Sequence, residues 1–254
     1  MNNNKIKITA VSYLNTKPLL YGILRSPLAD QVELSLAIPS ECARRLRDGE
    51  VDLALAPVAI LPELEHWELV SNYCIGADGA VKTVCLYSER PLEALETIYL
   101  DYHSRTSVEL IKILLRDYWK QSVRLLPAFP GYEDHIGGAV GGLVIGDRTI
   151  GLEQKFAYTY DLAEAWRNHT GLPFVFAAWV SARPLPPEFV TAFNEALEAG
   201  LRLIPQLTLL LPSPHPQFSL EEYYTRYISY ELDAPKRQAL NLFLQQFSAA
   251  VPLV

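Results

Sequence analysis

Residues 5–22 confine the start of this chain to a strand–turn–helix unit. Ile6, Ile8 and Ala10 alternate with polar residues across Lys5 to Ala10, the period of a half-buried strand. Val11-Ser12-Tyr13-Leu14-Asn15-Thr16-Lys17-Pro18 follows directly and runs into the apolar pair Leu19-Leu20. A first helical turn tolerates Pro18 because the missing N–H would be unpaired there anyway. Small polar side chains are thus packed into a turn that presents free backbone N–H groups at a helix N-terminus, an arrangement that favours a carboxylate or phosphate.

The same alternation continues downstream and predicts an α/β fold. Strands are expected at Val32 to Ile38, Val51 to Ala56, Lys82 to Tyr87, Thr97 to Leu100, Val123 to Leu126, Leu143 to Ile145 and the fully apolar Phe174 to Val180. Helices are expected from Ser40, as cap, to Arg47 with Gly49 as stop, and from Ser104–Ser107 through Tyr118. Thr106 with Glu109 makes a capping-box pattern there. Further helical spans are Leu152 to Asn168, Glu188 to Leu203, Leu220 to Tyr230 (Ser219 capping) and Pro235 to Phe247 (Asp233 capping). The proline-rich stretch 211–216 reads as a rigid surface connection, and Trp166, Phe174, Phe176 and Trp179 read as core.

Composition narrows the partners. The net charge is −7 and no Lys/Arg run exists, which argues against nucleic acid and anionic membranes. Positive potential for an anionic ligand must therefore be local. The N-terminus enters a strand with no apolar leader, and no apolar run is long enough to span a bilayer, so a cytoplasmic location is expected. Three scattered cysteines in apolar surroundings (Cys42, Cys74, Cys85) read as reduced buried thiols. No Gly-rich phosphate loop, nucleophile elbow, CxxC pair or HExxH occurs, and the five histidines are far apart, so no cofactor and no metal are expected.

Ser12-Tyr13-Leu14-Asn15 followed by Lys17-Pro18 resembles the N-terminal signature of the chorismate dehydratases of the futalosine route to menaquinone. Later segments resemble the same family in order: Asp52 to Val58, Val81-Lys82-Thr83-Val84, Ser104 to Ser107, Ile145-Gly146-Asp147, Asp161-Leu162 with Trp166, and Thr170 to Ala177. The resemblance implies a two-lobed, periplasmic-binding-protein-like (type II) fold with a central cleft. Residues 1–88 with 178–254 would form one lobe and 89–177 the other, with hinges near Ser88 and Phe176. It also implies a cofactor-independent hydro-lyase acting on chorismate, a small dicarboxylate. By the same resemblance Asn15 and Thr83 are the catalytic candidates, although Thr83 stands where the family usually has serine. Ser12, Tyr13, Pro57, Val58, Ser104, Arg105, Thr106, Ser107, Gly146 and Asp147 are the substrate-binding candidates. Arg148-Thr149-Ile150 departs from the small residues usual after Gly-Asp, so Asp147 also reads as a structural loop residue.

Elementary chemistry weighs these candidates separately. Asn15 and Thr16 compete for one capping role, and if Thr16 takes it the Asn15 amide is free for a ligand. Arg105 is a cation at a helix N-terminus, which the dipole disfavours unless an anion docks beside it. His103 sits where it can line the cleft, but a lone loop histidine is more often a hydrogen-bonded bystander. Two facing helix N-termini suit two carboxylates on opposite sides of a small ring. Charge that develops on the ring carboxylate is then stabilised by hydrogen bonds. In the family the substrate's own side-chain carboxylate has been proposed as base, and no evident protein base is seen here. A non-catalytic small-anion binding or sensing protein of the same fold is the reading from another class. The related naphthoate-forming enzyme (1,4-dihydroxy-6-naphthoate synthase) is a third. Oligomeric state is not readable from the sequence.

Overall fold

A computed structural model describes residues 5–248. Its elements run in the order β1 (Ile6–Val11), α1 (Lys17–Arg25), β2 (Val32–Ala37), α2 (Pro39–Arg47), β3 (Leu53–Pro57), β4 (Glu68–Ala77) and β5 (Val84–Ser88). Then come β6 (Thr97–Leu100), α3 (Arg105–Ile113), β7 (Arg124–Pro127), β8 (Val140–Ile145), β9 (Tyr158–Asp161), α4 (Leu162–Thr170) and β10 (Phe174–Ser181). The chain closes with α5 (Pro187–Arg202), α6 (Ile204–Leu210), the single turn α7 (Leu220–Glu222), β11 (Ser229–Glu231) and α8 (Ala234–Ser248).

Two sheets result. The first is ordered β11-β4-β10-β3-β1-β2 and the second β7-β6-β8-β5-β9. β1, β2 and β3 are parallel, while β10 runs antiparallel between β3 and β4. Every residue of β3 and β10 is buried, which is why both read as unbroken apolar runs. In the second sheet β6 is parallel to β7 and β8, and β5 is antiparallel to β8 and β9.

This pairing moves the expected lobe boundaries. β5 lies wholly in the second sheet and β10 in the first. The chain therefore crosses between sheets from Ala77 to Val84 and again between Asp161 and Phe174, ahead of the expected hinges at Ser88 and Phe176. Residues 1–4 and 249–254 of the expected first lobe lie outside the described residues.

Several local expectations are corrected. The span 152–168 is not one helix. Tyr158–Asp161 pairs with β5, and only then does α4 begin, with Asp161 Oδ1 accepting from Ala163 N and Glu164 N as its cap. Two tyrosines and a threonine suit a pleated strand, and the available partner decides. β4 was not expected at all; two register shifts against β10 break its two-residue period. The helix expected over Leu220–Tyr230 is one turn, then a π-helical turn at Tyr223–Tyr227, then β11. α2 starts at Pro39 with Ile38 in the cap position, so Ser40 is not the cap. α3 is capped by Ser104, whose side chain accepts from Ser107 N, and not through Thr106 and Glu109. Ser219 and Asp233 do accept from backbone N–H groups three residues on.

α1 and α5 cross at backbone contact. A Cβ on Gly22 would fall 1.9 Å from the Ala196 carbonyl oxygen, and one on Gly200 would fall 2.2 Å from that of Pro18. Only glycine fits at either position. The crossing fixes α1, and with it the turn at its N-terminus, against the outer layer of the first sheet.

Candidate active site

The C-terminal end of β1 opens into the Ser12–Thr16 turn. A short 3₁₀ turn spans Leu14–Thr16, and α1 starts behind it with Pro18 in its first turn. Thr16 occupies the cap position but makes no capping bond; its hydroxyl donates instead to Asn15 Oδ1 at 3.1 Å. That bond orients the Asn15 amide, leaving its N–H donors unclaimed by Thr16. The Asn15 carbonyl oxygen accepts from the Tyr230 hydroxyl at 2.8 Å.

Thr83 is set by a different device. Lys82 has φ +67, a left-handed conformation uncommon for a side chain of its kind. The buried Asp161 carboxylate holds it there: Oδ2 accepts from Val81 N at 2.9 Å and Lys82 N at 2.7 Å. One carboxylate thus caps α4 and shapes the turn that aims Thr83. Burial raises the Asp161 pKa, and the four backbone N–H groups oppose that shift.

These residues meet in a cavity of about 50 Å³ between the sheets, lined by Tyr13, Asn15, Pro57, Thr83, Ser104, Ser107 and Gly146 among the expected residues. Val11, Pro39, Ile75, Val81, Val84, Ile145, Phe176 and Ala177 complete the wall. Phe176 and its neighbours were read as core, because an apolar cleft wall and an apolar core have the same composition. The cavity is well below the roughly 300 Å³ of a small-molecule site. A larger groove of about 340 Å³ crosses Lys82, Tyr87, Glu153, Gln217 and Tyr227, and holds none of the expected catalytic pair.

Five expected binding residues lie off the wall. Ser12 is exposed. Val58 is fully buried in the core. Thr106 is buried, and its hydroxyl accepts from Ala59 N at 3.2 Å, tying α3 to the end of β3. Arg105 turns outward and pairs with Glu63 at 2.6 Å. Glu63 supplies the anion that its position at the helix N-terminus calls for, so no ligand is needed to account for it. Asp147 spends both carboxylate oxygens on Leu14 N, at 3.1 Å each.

Asp147 is one of three links across the mouth. Ser40 N donates to the His103 carbonyl at 3.0 Å. The Tyr13 hydroxyl meets His103 Nδ1 at 2.5 Å. The Tyr13 ring lies on Gly146, where a Cβ would fall 2.5 Å from it and φ is +68; both facts require glycine. His103 is held in turn by Asp101, whose Oδ1 accepts its backbone N–H at 2.8 Å. Asp101 Oδ2 accepts from the Tyr132 hydroxyl, from Ile145 N and from Arg148, which also reaches Glu133. The sequence did not single out Asp101, Tyr132 or Arg148. Their only signal was the departure of Arg148 from the small residues expected after Gly146-Asp147.

Burial first, and then the Arg148 charge, lower the His103 pKa below its usual 6.5, against the opposing charges of Asp101 and Glu133. Burial raises the Tyr13 phenol. A neutral imidazole accepting from a protonated phenol fits both shifts. Below pH 6.5 the unfolded chain binds a proton that the folded chain refuses. This residue's effect is thus to make stability fall as pH drops from 6.5 toward the folded value, and to have none above 6.5. The His103 Hε1 resonance is expected to titrate with a midpoint below 6.5, and His103→Gln to flatten stability against pH in that window. A midpoint at or above 6.5 contradicts this.

Residues 6–249 match a protein family described as menaquinone biosynthesis. A chorismate dehydratase of Thermus thermophilus is 31% identical over 240 residues, covering 82% of this chain and 84% of that protein. Among solved structures, a protein from Archaeoglobus fulgidus superposes with a TM-score of 0.76 at 13% identity, over 98% of both chains. A Candida albicans protein described as having the generic periplasmic binding protein structural fold gives 0.63 at 11% identity, over 98% of this chain and 92% of that one. The two-sheet architecture is therefore the periplasmic-binding-protein-like one. Among the described residues no helix is long and apolar enough to cross a membrane.

Proposed function

This chain belongs to the menaquinone biosynthesis family, and from that premise we propose that it is a chorismate dehydratase. It eliminates water from chorismate to give 3-[(1-carboxyvinyl)oxy]benzoate, as a cytoplasmic carbon–oxygen lyase of the futalosine route. It needs neither cofactor nor metal, and neither nucleic acid nor membrane is its partner. The observation that carries this reading is the chemistry of the cavity wall. Its polar side chains are the amide of Asn15 and the hydroxyls of Tyr13, Thr83, Ser104 and Ser107, with no carboxylate, imidazole or amine. Such a wall donates hydrogen bonds to anionic oxygens; the His103 imidazole lies behind Tyr13 and does not line it.

That is the complement an elimination needs when the ligand carries its own base. The proton on the ether-bearing ring carbon is acidified by conjugation to the ring carboxylate. The substrate's side-chain carboxylate takes that proton and passes it to the departing ring hydroxyl, which leaves as water, so the carboxylate is regenerated and the ring becomes aromatic. Donors from Asn15, Thr83 and the N-terminus of α3 at Ser104 and Ser107 stabilise the charge spread onto carboxylate and leaving oxygen. Separation of the sheets at the Tyr13–His103 and Leu14–Asp147 links admits the substrate, and their reforming excludes water.

Purified protein treated with EDTA, given chorismate and no nucleotide, is expected to yield an aromatic ultraviolet spectrum and the mass of chorismate less one water. Chorismate left unchanged by folded protein rejects the proposal.

A further inference from the structure

We propose that Tyr223 is a positioning residue for this elimination, its buried hydroxyl holding the Thr83 hydroxyl in place opposite Asn15. The Tyr223 oxygen lies 2.8 Å from Thr83 Oγ1. Both residues are almost completely buried, Tyr223 at 1% and Thr83 at 2% exposure. The other neighbour of the Thr83 hydroxyl, the Val81 carbonyl, is 3.5 Å away, at the limit of a hydrogen bond. Tyr223 is thus the partner that sets the Thr83 rotamer.

The local backbone is built for this. Tyr223 opens the π-helical turn Tyr223–Tyr227, a departure from α geometry that is frequent at functional sites. Its ring is wedged against Phe218 and Tyr224, at centroid distances of 5.1 and 5.7 Å. Seven residues on, Tyr230 donates to the Asn15 carbonyl. One short segment therefore anchors both members of the pair, Thr83 through its side chain and Asn15 through its backbone.

Burial raises the Tyr223 phenol, against the opposing effect first of the neighbouring Thr83 hydroxyl and then of the Asn15 side chain. The phenol stays protonated, so it is no base and has a proton to donate to Thr83 Oγ1. When Tyr223 donates to Thr83 Oγ1, the Thr83 proton is held only by the long 3.5 Å contact to the Val81 carbonyl, which a ligand oxygen in the cavity that Thr83 lines can replace.

The inference rests on the proposed dehydration of chorismate, so wild-type protein is assayed alongside every variant. Tyr223→Phe keeps the ring and its packing. It is expected to lower kcat about ten-fold with KM within about two-fold. Tyr224→Phe, in the same buried turn but with a hydroxyl that has no hydrogen-bond partner among the described residues, is the control and is expected to leave kcat unchanged. In a Thr83→Val background, adding Tyr223→Phe is expected to cost less than about two-fold more, because the hydroxyl it positions is gone. Melting temperatures within a few degrees of wild type confirm folding. A Tyr223→Phe enzyme equal to wild type overturns the inference alone. So does a ten-fold loss that persists undiminished in Thr83→Val, or one that Tyr224→Phe reproduces. Wild-type protein that leaves chorismate unchanged overturns the functional reading and this inference with it.

Discussion

Asn15→Ala is expected to lower kcat on chorismate by about 100-fold, the scale of losing one preorganised donor to developing charge. The side chain lines the cavity, and its Oδ1 is taken by the Thr16 hydroxyl. Its N–H groups, which also neighbour the Tyr223 hydroxyl, are therefore the part of Asn15 presented for reaction. Binding should change much less than turnover, because charge on the substrate oxygens grows only as the ring proton leaves. The fold should survive. The Tyr230 hydroxyl bonds the Asn15 backbone carbonyl, which alanine keeps, and the lost Thr16 bond costs about 1 kcal/mol. Steady-state kinetics with a thermal melt decide the matter. A folded variant whose kcat stays within about three-fold of wild type removes Asn15 from the chemistry.

Asp101→Ala is expected to destabilise the fold by about 3 kcal/mol. Its carboxylate is buried, and it accepts from Tyr132, from the backbone N–H groups of His103 and Ile145, and from Arg148. Alanine would strand these donors together, with the Arg148 guanidinium facing the Tyr102 and Tyr132 rings and one carboxylate fewer. For a chain of this length the loss corresponds to a fall in melting temperature of roughly 10 °C. The same change loosens His103, so the link to Tyr13 across the cleft should weaken and turnover should fall with it. Chemical denaturation gives the test; a loss under about 1 kcal/mol shows that the cluster is not a structural hub.

Much of the frame was legible in the order of residues. The two-residue period of Lys5 to Ala10, the proline-led helix after it and the apolar runs that became β3 and β10 depend on local patterning and burial, and they appear where expected. β4 and β9 were not legible. Bulges against β10 hide the period of β4, and β9 is extended because β5 offers it an edge to pair with. The lobe boundaries shifted for the same reason, since the sheet that β5 joins depends on β8 and β9.

The site divides along the same line. Local patterning placed Asn15, Ser104 and Ser107 in short polar turns after strands, which converge because strand ends in α/β sheets open on one side; Thr83 was read inside a strand and entered the site only through the family resemblance. Sequence could not show that Arg105 is satisfied by Glu63, 42 residues earlier in the chain. Nor could it show that Tyr223 reaches Thr83 across 140 residues, or Tyr230 reaches Asn15 across 215. A hydroxyl or carboxylate has the same one-letter identity whether it is a ligand's donor, a cap or a neighbour's anchor. Sequence determined which groups are present and which strands and helices carry them. Only the packing of distant segments decided which groups were already hydrogen-bonded and which were left to face the cleft.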